Sequence, residues 1–186
     1  MKSRVAGRYA KSIMDLAIER NELEPVYQDM VYLNQAFSKS RELVMMLKSP
    51  VIPGDKKIAV LTALGKGKIS EMTLAFNNLL VKKGREDQLP DMTQAFIESY
   101  KKYKNIHVVN LTSAAPLSEE AKNAIISKVK NEAGLQNIEL NTKVNPELIG
   151  GFILEVGDQM VDTTVASRLN AVKKQFQNND YIYQVR

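Results

Sequence analysis

The sequence predicts a mainly α chain: an N-terminal six-helix bundle over residues 1–105, followed by a small α+β C-terminal domain over residues 106–186. Two observations carry this. Through Lys104 the apolar residues recur three and four positions apart, the period of helices packed along one face. From Ile106 the pattern changes to short β-branched stretches separated by Gly, Pro and Asn. Hydrophobic residues make up 44% of the 186 and charged residues 25%, ordinary values for a chain with a buried core.

Taken in order, Val5, Ala6, Tyr9, Ala10, Ile13, Leu16 and Ala17 share one face of a first helix, with Arg4, Arg8, Lys11, Asp15 and Glu19 on the other. Small Ala6 and Ala10 allow a second helix to come close. Leu23, Val26, Met30, Leu33 and Phe37 repeat at 3, 4, 3, 4 and give a second helix packed on another. Leu43, Val44 and Leu47 mark a short third helix stopped by Pro50. After a turn at Pro53-Gly54-Asp55, Ile58, Leu61 and Leu64 mark a fourth that ends at Gly65. Ser70 is placed to cap a fifth helix running to Lys83, with Gly84 as its stop. That helix is apolar on more than one side: Met72, Ala75, Phe76 and Leu79 form one stripe, and Leu74 and Val81 lie elsewhere. Two readings stay open, the bundle centre or a groove that receives a partner. Pro90 opens a sixth helix with Met92, Phe96, Ile97, Tyr100 and Tyr103 inward or partly so.

Ile106 to Thr112 reads as a strand, with Asn105 as the approximate boundary and His107 facing solvent or a neighbour. Ser118, followed by Glu119 and Glu120, starts a helix that runs through Ile125, Ile126 and Val129 to Gly134. Ile138, Leu140, Thr142 and Val144 then alternate with polar residues, a strand with one face buried. Phe152 to Val156 and Met160 to Asp162 form a hairpin around Gly157-Asp158. Thr163 or Thr164 caps a last helix whose Val165, Leu169, Val172 and Phe176 recur at 4, 3, 4. The predicted unit is a short sheet with two helices against it. The tail from 177 to 186 is apolar enough to dock or to add a strand.

Much chemistry is excluded by composition. With no cysteine there is no disulfide, thiolate metal site or cysteine nucleophile, and the single His107 leaves no His pair for a metal. GKGK at 65–68 lacks the spacing and the preceding strand of a phosphate loop. Glu119 and Glu120 are adjacent and point apart on a helix, so they serve its dipole, and Asp158 and Asp162 take turn and cap roles. No catalytic residue, cofactor site or metal site is expected. No apolar run reaches the roughly 18 residues that span a bilayer, and the N-terminus shows no apolar signal-peptide core. The net charge of +5 comes from lysines scattered among acids, so nucleic acid is not expected as a partner. A basic helical RNA-binding module of the antitermination type is the alternative; it requires a clustered Lys/Arg face.

Three stretches carry a resemblance to a known family: VAGRYAKSIMDLA at 5–17, LLVKKGREDQLPDMTQAF at 79–96, and VNPELIGGFILEVGDQMVDTTVASRL at 144–169. In order and spacing they are similar to the delta subunit of the F-type ATP synthase, called OSCP in mitochondria. The third is the most specific, like the family's LIGGxxxxxGxxxxDxSVxxxL pattern. The chain departs from that family at Ser12, often Ala, and at Thr164, often Ser, and in a longer tail.

The resemblance implies a non-catalytic stator subunit that supports proton-driven ATP synthesis. Residues 1–105 would bind the N-terminal segment of the alpha subunit. Residues 106–186 would bind the C-terminal end of the b-subunit stalk, holding the catalytic head against the rotor. It places alpha contacts at or near Tyr9, Ser12, Ala75 and Leu79, with Tyr9 open to a core reading as well. It makes Gly150, Gly151, Asp162 and Thr164 a structural signature. It further implies a peripheral position on the cytoplasmic face of a bacterial cell membrane, with no homo-oligomer.

Overall fold

The computed structural model describes residues 4–133, 135, 137–157 and 159–177. The chain is mainly helical and divides into two compact units, Met1–Lys104 and Asn105–Arg186. The sequence expectations for the helix stop at Gly134, the turn residue Asp158 and the tail 178–186 lie outside the described residues.

The first unit runs α1 (Arg4–Glu19), α2 (Leu23–Lys39), α3 (Arg41–Lys48), α4 (Gly54–Gly65), α5 (Glu71–Lys82) and α6 (Leu89–Tyr103), with a 3-10 turn at Glu86–Gln88 before α6. Each of these helices sends a side chain into one buried cluster: Ala6, Leu33, Leu47, Leu61, Leu80 and Leu89, in chain order. Local chemistry sets the helix ends. Ser40 ends α2 and, accepting from the Leu43 N–H, caps α3. Ser70 caps α5 by accepting from Thr73 N–H, and Gly84 follows at φ +63. Asn105, at φ 51, takes the left-handed conformation where helix gives way to strand.

Among the described residues of this unit, two charged side chains are buried. Asp29 of α2 is 5% exposed, and its Oδ2 accepts from Ser70 N–H, Ser70 Oγ and Thr73 Oγ1 at 2.9, 2.6 and 2.7 Å. The carboxylate thus meets the positive N-terminal end of α5 and ties it to α2. Lys57 of α4 is 2% exposed and donates to Leu47 O, Ser49 O and Glu86 Oε1 at 3.0, 2.8 and 2.8 Å. All three ammonium protons are used. Two of them satisfy carbonyls at the end of α3, where a cation is favoured.

A network at the other end of α6 gives a pH signature. Tyr100 stacks on Tyr27 with ring centroids 3.8 Å apart and donates to Glu24 Oε2 at 2.6 Å; Lys104 reaches Glu24 Oε1 at 2.7 Å. Burial first, then the hydrogen bond to Glu24, pushes the Tyr100 hydroxyl from its ordinary 10.0 up to about 12. The stability this provides is fully present below pH 10.0 and is lost as pH rises through about 12. The Lys104 and Tyr100 hydrogen bonds hold the Glu24 carboxyl below its ordinary 4.5, so its contribution is present above that pH and is lost as pH falls below it. An ultraviolet titration should show a late-ionising tyrosine step from Tyr100. Tyr100→Phe should remove that step and flatten the alkaline loss of stability; a late step that survives the substitution would assign it to another tyrosine.

The second unit runs β1 (Ile106–Ser113), α7 (Glu119–Ala133), β2 (Asn137–Val144), β3 (Phe152–Val156), β4 (Gln159–Asp162) and α8 (Val165–Gln177), forming a four-stranded sheet of order β2-β1-β3-β4. β1 pairs parallel with β2, from Ile106 opposite Asn137 to Ser113 opposite Val144, which requires the crossover that α7 supplies. β3 pairs antiparallel with β1 and with β4. His107 is exposed on β1. β2 departs from its expected alternation: Ile138 and Leu140 are half-buried, but Thr142 and Val144, in its second half, are exposed. Tyr103, expected at least partly inward, is 55% exposed in the last turn of α6.

Candidate functional site

The first helix carries two apolar stripes rather than one face. Ala6, Ala10, Ile13 and Ala17 are buried at 2% exposure or less. Val5 and Leu16 are each 38% exposed, Tyr9 is half-buried and Ser12 is exposed. The stripes 6-10-13-17 and 5-9-12-16 lie about 100° apart round the helix, so one packing contact cannot cover both. Tyr9 belongs to both sides, since it packs against the buried cluster while lining the surface. The Ser12 hydroxyl donates to Arg8 O at 3.0 Å within its own helix.

α5 likewise divides differently from its expected stripe. Met72, Thr73, Asn77, Leu80 and Val81 are buried, Phe76 is half-buried, and Ala75 and Leu79 face outward one turn apart. Leu79 is 50% exposed. Ala75 and Leu79 stand outside the buried face of this helix, where Thr73 and Asn77 take inward positions.

Tyr9 and Ser12 line one groove of about 300 Å³ with Val5, Arg8 and Arg85. Ala75 and Leu79 are not part of its lining. Arg8 was expected on the polar side of α1; it lines the groove because it sits three residues after Val5 and four before Ser12. Arg85 was missed as a groove residue, since only the fold brings the segment after α5 beside α1.

In the second unit the signature residues lock one turn to one helix start. Gly151 has φ +81, and a β-carbon there would lie 2.5 Å from Thr163 O and 2.9 Å from Thr164 Cα. A β-carbon on Gly150 would sit 3.1 Å from Val165 Cγ2. Val165 N–H donates to Gly150 O at 3.0 Å and Thr163 Oγ1 to Phe152 O at 2.8 Å. Thr164, 2% exposed, caps α8 by accepting from Ser167 N–H at 3.1 Å. Asp162 Oδ1 accepts from Thr164 N–H at 2.8 Å, and that backbone hydrogen bond, with the Thr164 hydroxyl second, holds its carboxyl below the usual range. Ile149, at φ 63, carries the strain of this turn on a β-branched residue.

α8 does not bury the apolar stripe expected of it. Val165, Leu169 and Val172 are 41%, 57% and 48% exposed. Ala166, Ser167, Asn170 and Lys174 line a groove of about 510 Å³ with Leu148 and Ile153. The cap at Thr164 and the close approach of Gly150 to Val165 fix the start of the helix, while only Ala166 among residues 165–174 is partly buried.

Among the described residues no group of three or more His, Asp or Glu side chains is placed to hold a metal, and no helix is long and apolar enough to cross a membrane. Comparison with known proteins supplies the family. Residues 5–176 match the family described as ATP synthase delta (OSCP) subunit. The chain is 35% identical to the ATP synthase subunit delta of Cytophaga hutchinsonii over 94% of this chain and 95% of that one. It is 36% identical to that of Phocaeicola vulgatus over 92% and 93%. Among solved structures it is similar, at TM-score 0.70 and 28% identity, to a chain in the cryo-EM structure of the Toxoplasma gondii mitochondrial ATP synthase hexamer, covering 94% of this chain and 98% of that one. Nothing in these comparisons favours the RNA-binding alternative. The chain belongs to the ATP synthase delta (OSCP) subunit family, the non-catalytic peripheral-stalk component of the ATP synthase.

Proposed function

We propose that this chain is the stator adaptor between the catalytic head and the stalk, with its first unit, a six-helix bundle over 1–105, holding the N-terminal segment of the alpha subunit. The observation that carries this is the set of apolar residues left outside the first unit's core at helical spacing. Val5, Tyr9 and Leu16 on α1 and Leu79 on α5 remain at least partly exposed, with Ser12 and Ala75 small beside them. Such surfaces suit an amphipathic helix that offers its own apolar anchors. Residues 106–186 hold the C-terminal end of the b subunit, and the outward stripe Val165, Leu169 and Val172 supports that reading. Basic Arg168, Lys173 and Lys174 flank the stripe and favour an acidic stalk surface. Gly150, Gly151, Asp162 and Thr164 serve the fold rather than the contact. Contacts at two separate units slow dissociation under torque more than either contact alone. The adaptor works as a single copy, peripheral to the membrane on its cytoplasmic face in a bacterial cell.

The test is co-purification of the full chain with alpha subunit, intact or lacking its N-terminal segment. Retention of the intact subunit and loss of the shortened one is expected; equal retention of both would sink the assignment of the contact. Leu79→Ala should weaken binding by about 1 kcal/mol, roughly fivefold. Because Leu79 is 50% exposed, thermal stability should change little. An unchanged affinity would remove Leu79 from the contact.

A further inference from the structure

We propose, on the basis of that docking reading, that Arg8 and Arg85 form a carboxylate-recognition subsite that reads an Asp or Glu side chain on the docked helix. Arg8 lies on α1 and Arg85 between α5 and the following 3-10 turn, yet both line the same groove of about 300 Å³. Its other lining residues are Val5, Tyr9 and Ser12, with no acid among them. Neither arginine makes an ion pair among the described residues. Two like charges in one concave site concentrate positive potential, which one anionic group relieves. The planar fork of a guanidinium matches a carboxylate in a way that a lysine does not.

The surroundings select the occupant. Val5 and the Tyr9 ring give the groove an apolar side, continuous with the outward stripe of α1. A free anion has no use for that side. A helix with apolar anchors on α1 and a carboxylate beside them uses both. The pair thereby sets the register and direction of the docked segment, while the apolar stripe supplies the area.

The experiment is calorimetry of the full chain with two synthetic peptides. One is the N-terminal segment of the alpha subunit; the other has each Asp and Glu replaced by Asn and Gln. The wild-type chain should bind the neutralised peptide on the order of tenfold more weakly. R8A/R85A should bind both peptides alike, and R8K/R85K should keep only part of the preference. Circular dichroism of each variant verifies that it is folded, and both side chains are exposed. Equal binding of the two peptides by the wild-type chain overturns the subsite and leaves docking intact. So does a segment that binds without carrying a carboxylate, or an alanine variant that retains the preference. Binding of neither peptide by the wild-type chain removes the docking reading and the subsite together.

Discussion

Lys57→Ala is expected to destabilise the first unit by about 3–5 kcal/mol, one of the two largest single-residue effects expected in this chain. The side chain is 2% exposed and all three of its protons are donated, at 2.8 to 3.0 Å, to Leu47 O, Ser49 O and Glu86 Oε1. Truncation leaves two carbonyls and a carboxylate short of a donor. Urea unfolding of the full chain, followed by a probe in the first unit, measures the loss. K57M/E86L separates the parts. Removing both charges relieves the ionic penalty but leaves the α3 carbonyls unpaired, so it should recover only part of the stability, remaining about 1–3 kcal/mol below the natural chain. Full recovery would mean that the carbonyl contacts contribute nothing; no loss in Lys57→Ala would mean that the ammonium is dispensable.

Gly151→Ala is expected to cost the second unit about 3 kcal/mol or more. Two causes combine. The residue has φ +81, and its added carbon would stand 2.5 Å from Thr163 O, a backbone atom that cannot swing aside. Relief requires moving the start of α8 away from the turn before β3, breaking the hydrogen bonds that join them. Gly157→Ala is the control. Its φ is +59 with nothing within 4 Å of the added carbon, so only the backbone term remains, about 1 kcal/mol. Hydrogen exchange should show Gly151→Ala losing protection in the second unit while the first keeps it. Equal costs at the two glycines would show that close approach is not what Gly151 provides.

These residues mark how far periodicity alone reads the chain. The caps at Ser40, Ser70 and Thr164 involve partners within three residues, so local patterns carry them. Ser70 and Thr164 were found that way. Lys57 stands four residues before Leu61, on the inward stripe of α4, and Asp29 sits between Val26 and Leu33 on that of α2. A charge on an apolar stripe was the available signal for both. What it could not give was the partner, since Glu86 and Ser70 are far along the chain. The site residues divide the same way. Tyr9, Ser12, Ala75 and Leu79 came from the resemblance, whereas Arg8 and Arg85 meet only once α1 and the segment after α5 are folded together.

The sequence by itself determined the helical first half, the change of period at Asn105, the strands and helices of the second half, and, through three motifs, the family. Local propensity and motif order need no knowledge of neighbours. Only the tertiary structure decided which apolar residues are core and which are surface. It split α1 into 6-10-13-17 inward and 5-9-12-16 outward, and left Val165, Leu169 and Val172 exposed. A helix wide in apolar residues has more than one face that could pack. In the first unit the face that does is chosen by what stands opposite, the shared cluster around Leu33 and Leu80.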